Sequence, residues 1–180
     1  MKVVEGRTRI EDLDDFLDEI GAIGDEFDCA VQAFDADYVV GPDHLQAAVE
    51  RADRAFERDE NVAREFAVEI LLYAAGRRQI NRALRMGVGE GESDVVVVAH
   101  SPASDASADD ADREEAAATA VRDLLESADA VGSTETASAD SIDREAVRDF
   151  FDVSVAELEA TDATLADLVR ERVALLDVEK

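Results

Sequence analysis

The run from Glu65 to Ala75, EFAVEILLYAA, constrains the fold more than any other stretch. Phe66, Val68, Ile70, Leu71, Leu72 and Tyr73 put apolar side chains on both parities, which predicts a strand buried on two faces at the centre of a sheet. Gly76 breaks the run and a helical pattern follows. Ile80, Ala83, Leu84 and Gly87 fall on one stripe of that helix, with Arg78, Arg82 and Arg85 on another at i, i+4 and i+7. From Ile70 to Gly89 there is no Asp or Glu, although a quarter of the chain is acidic.

That gap matters because the net charge is −27, from 45 acids against 18 bases. Taken alone, such acidity argues against nucleic acid and membrane surfaces. Disorder would give the same sum, but 47% hydrophobic content and periodic segments point to a packed core. Lys is confined to Lys2 and Lys180, and Ala and Val are abundant. This balance fits a halophile's cytoplasm, where salt screens self-repulsion to within a few ångströms. Charge then reports the solvent, and local departures from it carry the information about partners.

At 180 residues the chain suits a single domain. Its one cysteine, Cys29, excludes an internal disulfide and a Cys-based zinc site. No apolar run approaches transmembrane length and the opening MKVVE is no signal peptide, so a soluble, cytoplasmic protein with no membrane partner is expected.

Other elements follow from pattern. Lys2 to Glu5 reads as a short strand, and Thr8 with Glu11 as a capping box for a helix that buries Ile10, Leu13, Phe16, Leu17 and Ile20 and ends at Gly21 or Gly24. Asp28 to Phe34 and Tyr38 to Val40 read as strands. Gly41-Pro42 opens a helix with an apolar face of Leu45, Ala48, Val49, Ala52, Ala55 and Phe56. Asp94 to His100 is a further buried strand. From Ser101 to Ser141 the composition turns small and acidic, which predicts a flexible insertion that need not pack a core, although Ala117, Val121, Leu124 and Leu125 suit one side of a modest helix. Helices are expected over Ile142 to Val155 and from about Asp162, the latter burying Leu165, Leu168, Val169, Val173 and Leu176. The fold class expected is α+β, a mixed α/β sandwich of about five strands packed with helices.

Catalytic chemistry finds little support. Cys29 sits in an apolar strand, where a buried inert thiol is the default. His44 and His100 share no motif and make a poor metal site, and Gly87, Gly89 and Gly91 precede a strand, the wrong order for a phosphate loop. No catalytic residue, metal or cofactor is therefore expected. The arginines differ: acids flank Arg51, Arg54 and Arg58, but none lies within helical reach of Arg77, Arg78, Arg82 and Arg85. Guanidinium groups beside Gln79 and Asn81 suit phosphate and base-edge contacts. A small anionic ligand, an RNA and an acidic protein surface all stay open on this reading.

Asn61-Val62-Ala63, the run VEILLYAAGRRQI from Val68 to Ile80, and Met86-Gly87 resemble the family of the KEOPS-complex accessory subunit that docks on the complex's small kinase-like ATPase. Gly41-Pro42-Asp43-His44-Leu45 and the ending VALLDVEK match as well, so that the resemblance spans roughly residues 1–100 and 142–180, with the acidic insertion a departure from it. The resemblance implies a non-catalytic subunit of the complex that makes threonylcarbamoyladenosine beside the anticodon of tRNA. Its implied partners are the kinase-like subunit, tRNA held by its single-stranded 3′ end and, indirectly, the threonylcarbamoyltransferase subunit. Residues that match the family's motif and suit RNA are Asn61, Arg77, Arg78 and Gln79; charge adds Arg64, Arg82 and Arg85. Ile80 and Tyr73 are the nearest apolar surface for bases, and the helices after Ile142 and Asp162 the expected docking surface for the kinase-like subunit. The competing classes are an anion-binding regulatory domain and a purely structural adaptor.

Overall fold

The computed structural model describes residues 1–102, 108–128 and 143–176. They form β1 (Lys2–Ile10), α1 (Leu13–Phe27), β2 (Ala30–Asp35), α2 (Pro42–Glu57), α3 (Phe66–Ala74), α4 (Ile80–Ala83), β3 (Gly91–His100), α5 (Ala108–Ala128), α6 (Arg144–Phe150), α7 (Val155–Ala160) and α8 (Leu165–Leu175), with short 3-10 turns at Ala36–Tyr38 and Leu84–Met86. The five-strand mixed sandwich is thereby corrected. Among the described residues there is one three-stranded antiparallel sheet, ordered β1-β3-β2, and helices make up most of the rest.

Two expected strands are absent. The 65–75 run is α3, and Tyr38 to Val40 begins in the 3-10 turn. An apolar run on both parities fits a helix buried on every side as well as it fits a central strand. Here Ile70, Leu71, Leu72, Tyr73 and Ala74 are all buried, and Ala, Leu and Glu favour the helix. The central strand is instead β3, whose valines pair with both neighbours, from Lys2–Ala99 to Ile10–Gly91 and from Ala30–His100 to Asp35–Val95.

The chain divides into two compact units, Met1–Ala36 with Gly87–Ala137, and Asp37–Met86 with Ser138–Lys180. In the first, Val95, Val97 and Ala99 of β3 join Val4 and Ile10 of β1, Val31 and Ala33 of β2, Phe16 and Ile20 of α1, and Ala117, Val121 and Leu125 of α5 in one core cluster. β1 is longer than expected and takes in Thr8, which is buried and paired with Ser93, so Thr8 caps nothing; Asp12 caps α1 by accepting from the N–H groups of Asp14 and Asp15. α1 runs through both glycines to Phe27, and Leu17 is exposed.

α5 is the modest helix expected within 101–141, and its face of Ala117, Val121 and Leu125 lies in that cluster, so this part of the segment does pack a core. Glu114 fastens it further. Its Oε1 accepts from the Ser101 N–H at 3.1 Å and lies 3.2 Å from His100 Nδ1. Burial alone would raise the carboxyl's pKa; hydrogen bonds from the terminal ammonium and the Ser101 N–H win and hold it below its ordinary value. Of the rest of the expected insertion, 103–107 and 129–141 lie outside the described residues, as does the tail beyond Leu176.

The second unit is helical. α2 presents Leu45, Ala48, Val49, Ala52 and Ala55, all buried, and packs against α3 and α8. Phe56 and Phe66 stack at 4.7 Å, and His44 Nε2 meets the Ala74 carbonyl oxygen at 2.8 Å. α8 buries Leu165, Leu168, Val169 and Val173 as its periodicity predicts, behind a capping box of Thr164 and Asp167. The helix expected over 142–155 is two elements, α6 and α7, split at Asp152, whose φ of 54° is left-handed.

Candidate functional site

The end of α3 builds the arginine segment. Gly76 adopts φ 59°; its N–H donates to the Tyr73 carbonyl oxygen at 2.9 Å and the Arg77 N–H to that of Leu72 at 3.0 Å. This is the paired hydrogen-bond pattern that stops a helix at a left-handed residue. Arg77, Arg78 and Gln79 then run between helices rather than along one. α4 is a single turn continued by 3-10 backbone, so the expected stripe of Arg78, Arg82 and Arg85 on one helix does not form.

Each predicted residue now has a place. Asn61 donates from Nδ2 to the Ala63 carbonyl oxygen at 2.7 Å and shapes the loop before α3. That loop is tied down by Glu69, which is buried and accepts from the Val62 and Ala63 N–H groups at 3.0 and 2.7 Å. Arg78 donates from Nη2 to the Leu176 carbonyl oxygen at 2.8 Å and lines a small cavity with Val62, Glu69, Leu72 and Tyr73. Gln79 precedes α4 and is exposed. Arg64, Arg82 and Arg85 are exposed on the same unit.

Arg77 has an acid after all, supplied by the tertiary fold. Its Nη2 donates to Asp152 Oδ2 at 2.6 Å and to the Phe150 carbonyl oxygen at 2.6 Å. Its guanidinium also lies over the Phe150 ring, 5.9 Å from the centroid, and that of Arg85 lies at 5.7 Å. Phe150 in turn packs on Tyr38 at 5.0 Å and edge-on to Phe151 at 4.9 Å. Arg77 and Arg85 thus converge on one aromatic ring, whereas Asn61 and Arg78 belong with the loop before α3.

Of the two apolar side chains expected to face bases, Tyr73 is buried, whereas Ile80 is 44% exposed. Leu84 is 56% exposed as well, and Ala83 and Met86 fill the core. The reasoning from sequence missed Phe150 and Asp152 as partners of the arginines. No local signal marks them, since 75 positions separate Arg77 from Asp152.

The thiol of Cys29 is buried, and burial first, with Glu114 second, pushes its pKa up, away from the thiolate. Among the described residues no group of three or more His, Cys, Asp and Glu could hold a metal ion. No helix among them is long and apolar enough to cross a membrane.

Comparison with curated proteins finds no match. The family model described as kinase binding protein CGI-121 matches residues 8–177, which takes in both units and every residue of the arginine segment. The chain belongs to the kinase-binding protein CGI-121 family.

Proposed function

We propose that the chain is a non-catalytic, cytoplasmic subunit of the KEOPS complex, binding its kinase-like ATPase subunit and bringing tRNA to it by the single-stranded 3′ end. The threonylcarbamoyltransferase subunit is then an indirect partner and carries the chemistry. Family membership supports the kinase-like partner. Val155 on α7 and Leu175 on α8, both exposed, are the apolar positions offered to it.

One observation carries the RNA reading. Arg64, Arg82 and Arg85 are exposed and pair with no carboxylate among the described residues, although the chain has 45 acids. Arg7, Arg54, Arg122, Arg170 and Arg172, by contrast, each pair with one. Arg58, Arg144 and Arg148 also make no ion pair among the described residues, but each has an acid next to it in the chain. The free guanidinium edges of Arg82 and Arg85, in the same short segment as exposed Ile80 and Leu84, offer phosphate and base contacts together. Gln79 adds an amide, while Asn61, Arg77 and Arg78 give the site its shape.

The test is binding of the full chain to tRNA in molar potassium chloride, with the unpaired 3′ nucleotides present or trimmed. Arg82→Glu and trimming each weaken binding, and not additively, since they break one contact set. Equal affinity for intact and trimmed tRNA, in parent and variant alike, overturns the RNA reading and leaves a protein adaptor.

A further inference from the structure

We infer that Phe150 is a positioning residue for the arginine site, holding Arg85 by its face so that the N–H edges of that guanidinium are left to an anionic ligand. This rests on the RNA reading above. The two guanidiniums at the ring differ in how they are used. Arg77 is spent within the protein: its side chain is 22% exposed, and Nη2 is taken by the Phe150 carbonyl oxygen and Asp152. Arg85 is exposed, and its guanidinium makes no hydrogen bond or ion pair among the described residues; the Phe150 ring, 5.7 Å away, is its one described partner.

A ring face attracts the cation without consuming a donor. It therefore fixes an arginine in a way that a carboxylate partner does not, since a carboxylate would occupy the edge and cancel the charge. Phe150 suits that task because it is itself held. It is 4% exposed, packed on Tyr38 and Phe151, and its own carbonyl oxygen is bound by Arg77. Ordering Arg85 beforehand removes part of the side-chain entropy lost when a ligand binds, and so raises affinity without a new contact.

A double-mutant cycle on the full chain tests this, with tRNA carrying its unpaired 3′ nucleotides as the probe. Phe150→Leu keeps an apolar side chain and removes the ring. It is expected to weaken binding about two- to fivefold in the parent and to have no effect in the Arg85→Ala background. Arg85→Lys, which leaves the fold of α6 untouched, keeps the charge but loses the flat face and is expected to show a loss of the same size. Equal weakening by Phe150→Leu in both backgrounds, or an Arg85→Lys protein that binds as the parent does, overturns the inference. Should Arg82→Glu weaken binding while Arg85→Ala does not, the RNA reading stands and this inference falls; should neither matter, both fall.

Discussion

Arg77 donates from Nη2 to the carboxylate of Asp152 at 2.6 Å, joining the residue after one left-handed helix end to the residue that makes another. The same nitrogen reaches the Phe150 carbonyl oxygen, so one guanidinium closes α3 against α6. Asp152 is mostly exposed, and an exposed ion pair contributes about 1 kcal/mol or less. The bond to the carbonyl oxygen is part-buried and made by a charged donor, which is worth about 1.5–3 kcal/mol. Arg77→Ala is therefore expected to cost about 2 kcal/mol. Asp152→Asn, which keeps a residue tolerant of left-handed backbone, is expected to cost less than half of that. Chemical denaturation measures both, and equal losses would show that the ion pair dominates.

Gly76 has a conformational requirement that few side chains meet. Its φ is 59°, and an added Cβ would stand 3.4 Å from Arg172 Cβ. Gly76→Ala forces the left-handed conformation on a residue with a Cβ, at about 1–2 kcal/mol. The expected result is a lower denaturation midpoint with an unchanged slope, since the surface exposed on unfolding is the same. A Gly76→Ala protein as stable as the parent would mean that α3 ends in some other way.

Glu69 gives a sharper comparison. Its carboxylate accepts from two N–H groups of the loop before α3, at Val62 and Ala63. Glu69→Gln retains an oxygen in the same place, whereas Glu69→Ala strands both donors, at about 1–3 kcal/mol for each one left buried. Loss of stability should follow the order Ala, then Gln, then parent. Hydrogen exchange at Val62 and Ala63 should quicken in the alanine variant, and unchanged exchange there would separate the loop from Glu69.

His44 sets a pH dependence. Burial first, opposed by its bond to the Ala74 carbonyl oxygen, lowers its pKa from 6.5 to about 4. The folded state thus holds the neutral ring, and the unfolded chain binds a proton that the folded one refuses. The stabilisation is complete above pH 6.5 and is lost as pH falls from 6.5 towards 4, on the order of 3 kcal/mol in all. His44→Gln can donate to the same carbonyl oxygen and cannot titrate. The difference in stability between parent and variant should therefore change across that window and be constant above it. Parallel curves at fixed molar salt would mean that the ring titrates normally.

How much of this was legible in the sequence depends on the range of the contacts involved. The face of α2 and the last helix were readable because their burial repeats within a few residues, and β3 because its buried run is valine, a β-branched residue that favours strands. α3 was not, because Leu71, Leu72 and Tyr73 are buried all round and periodicity carries no information when every position is apolar. Thr8 and Glu11 have the spacing of a capping box, but pairing of Thr8 with Ser93 across the sheet overrides it. The arginines were legible as a gap in negative charge. Which of them is free was not, because the acid that neutralises Arg77 and the ring beneath Arg85 come from α6 and the turn after it.

The exposed pair of Ile80 and Leu84 separates the two kinds of RNA contact. Each phosphate neutralised on a single strand contributes about −0.7 to the slope of log affinity against log salt, and that contribution fades in molar salt. A base packed on a side chain contributes about 1–3 kcal/mol with no such slope. Arg64→Gln and Arg82→Gln are therefore each expected to flatten the slope by about 0.7. Leu84→Ser, at a position 56% exposed where the core loses little, is expected to lower affinity at every salt concentration and leave the slope as it was. Filter binding of tRNA from 0.2 to about 2 molar potassium chloride reads both quantities at once. If Leu84→Ser leaves affinity intact while the arginine variants flatten the slope, the site holds phosphate alone. If the slope is unchanged in both arginine variants, RNA does not touch this segment, and the gap in negative charge is a surface for an acidic protein.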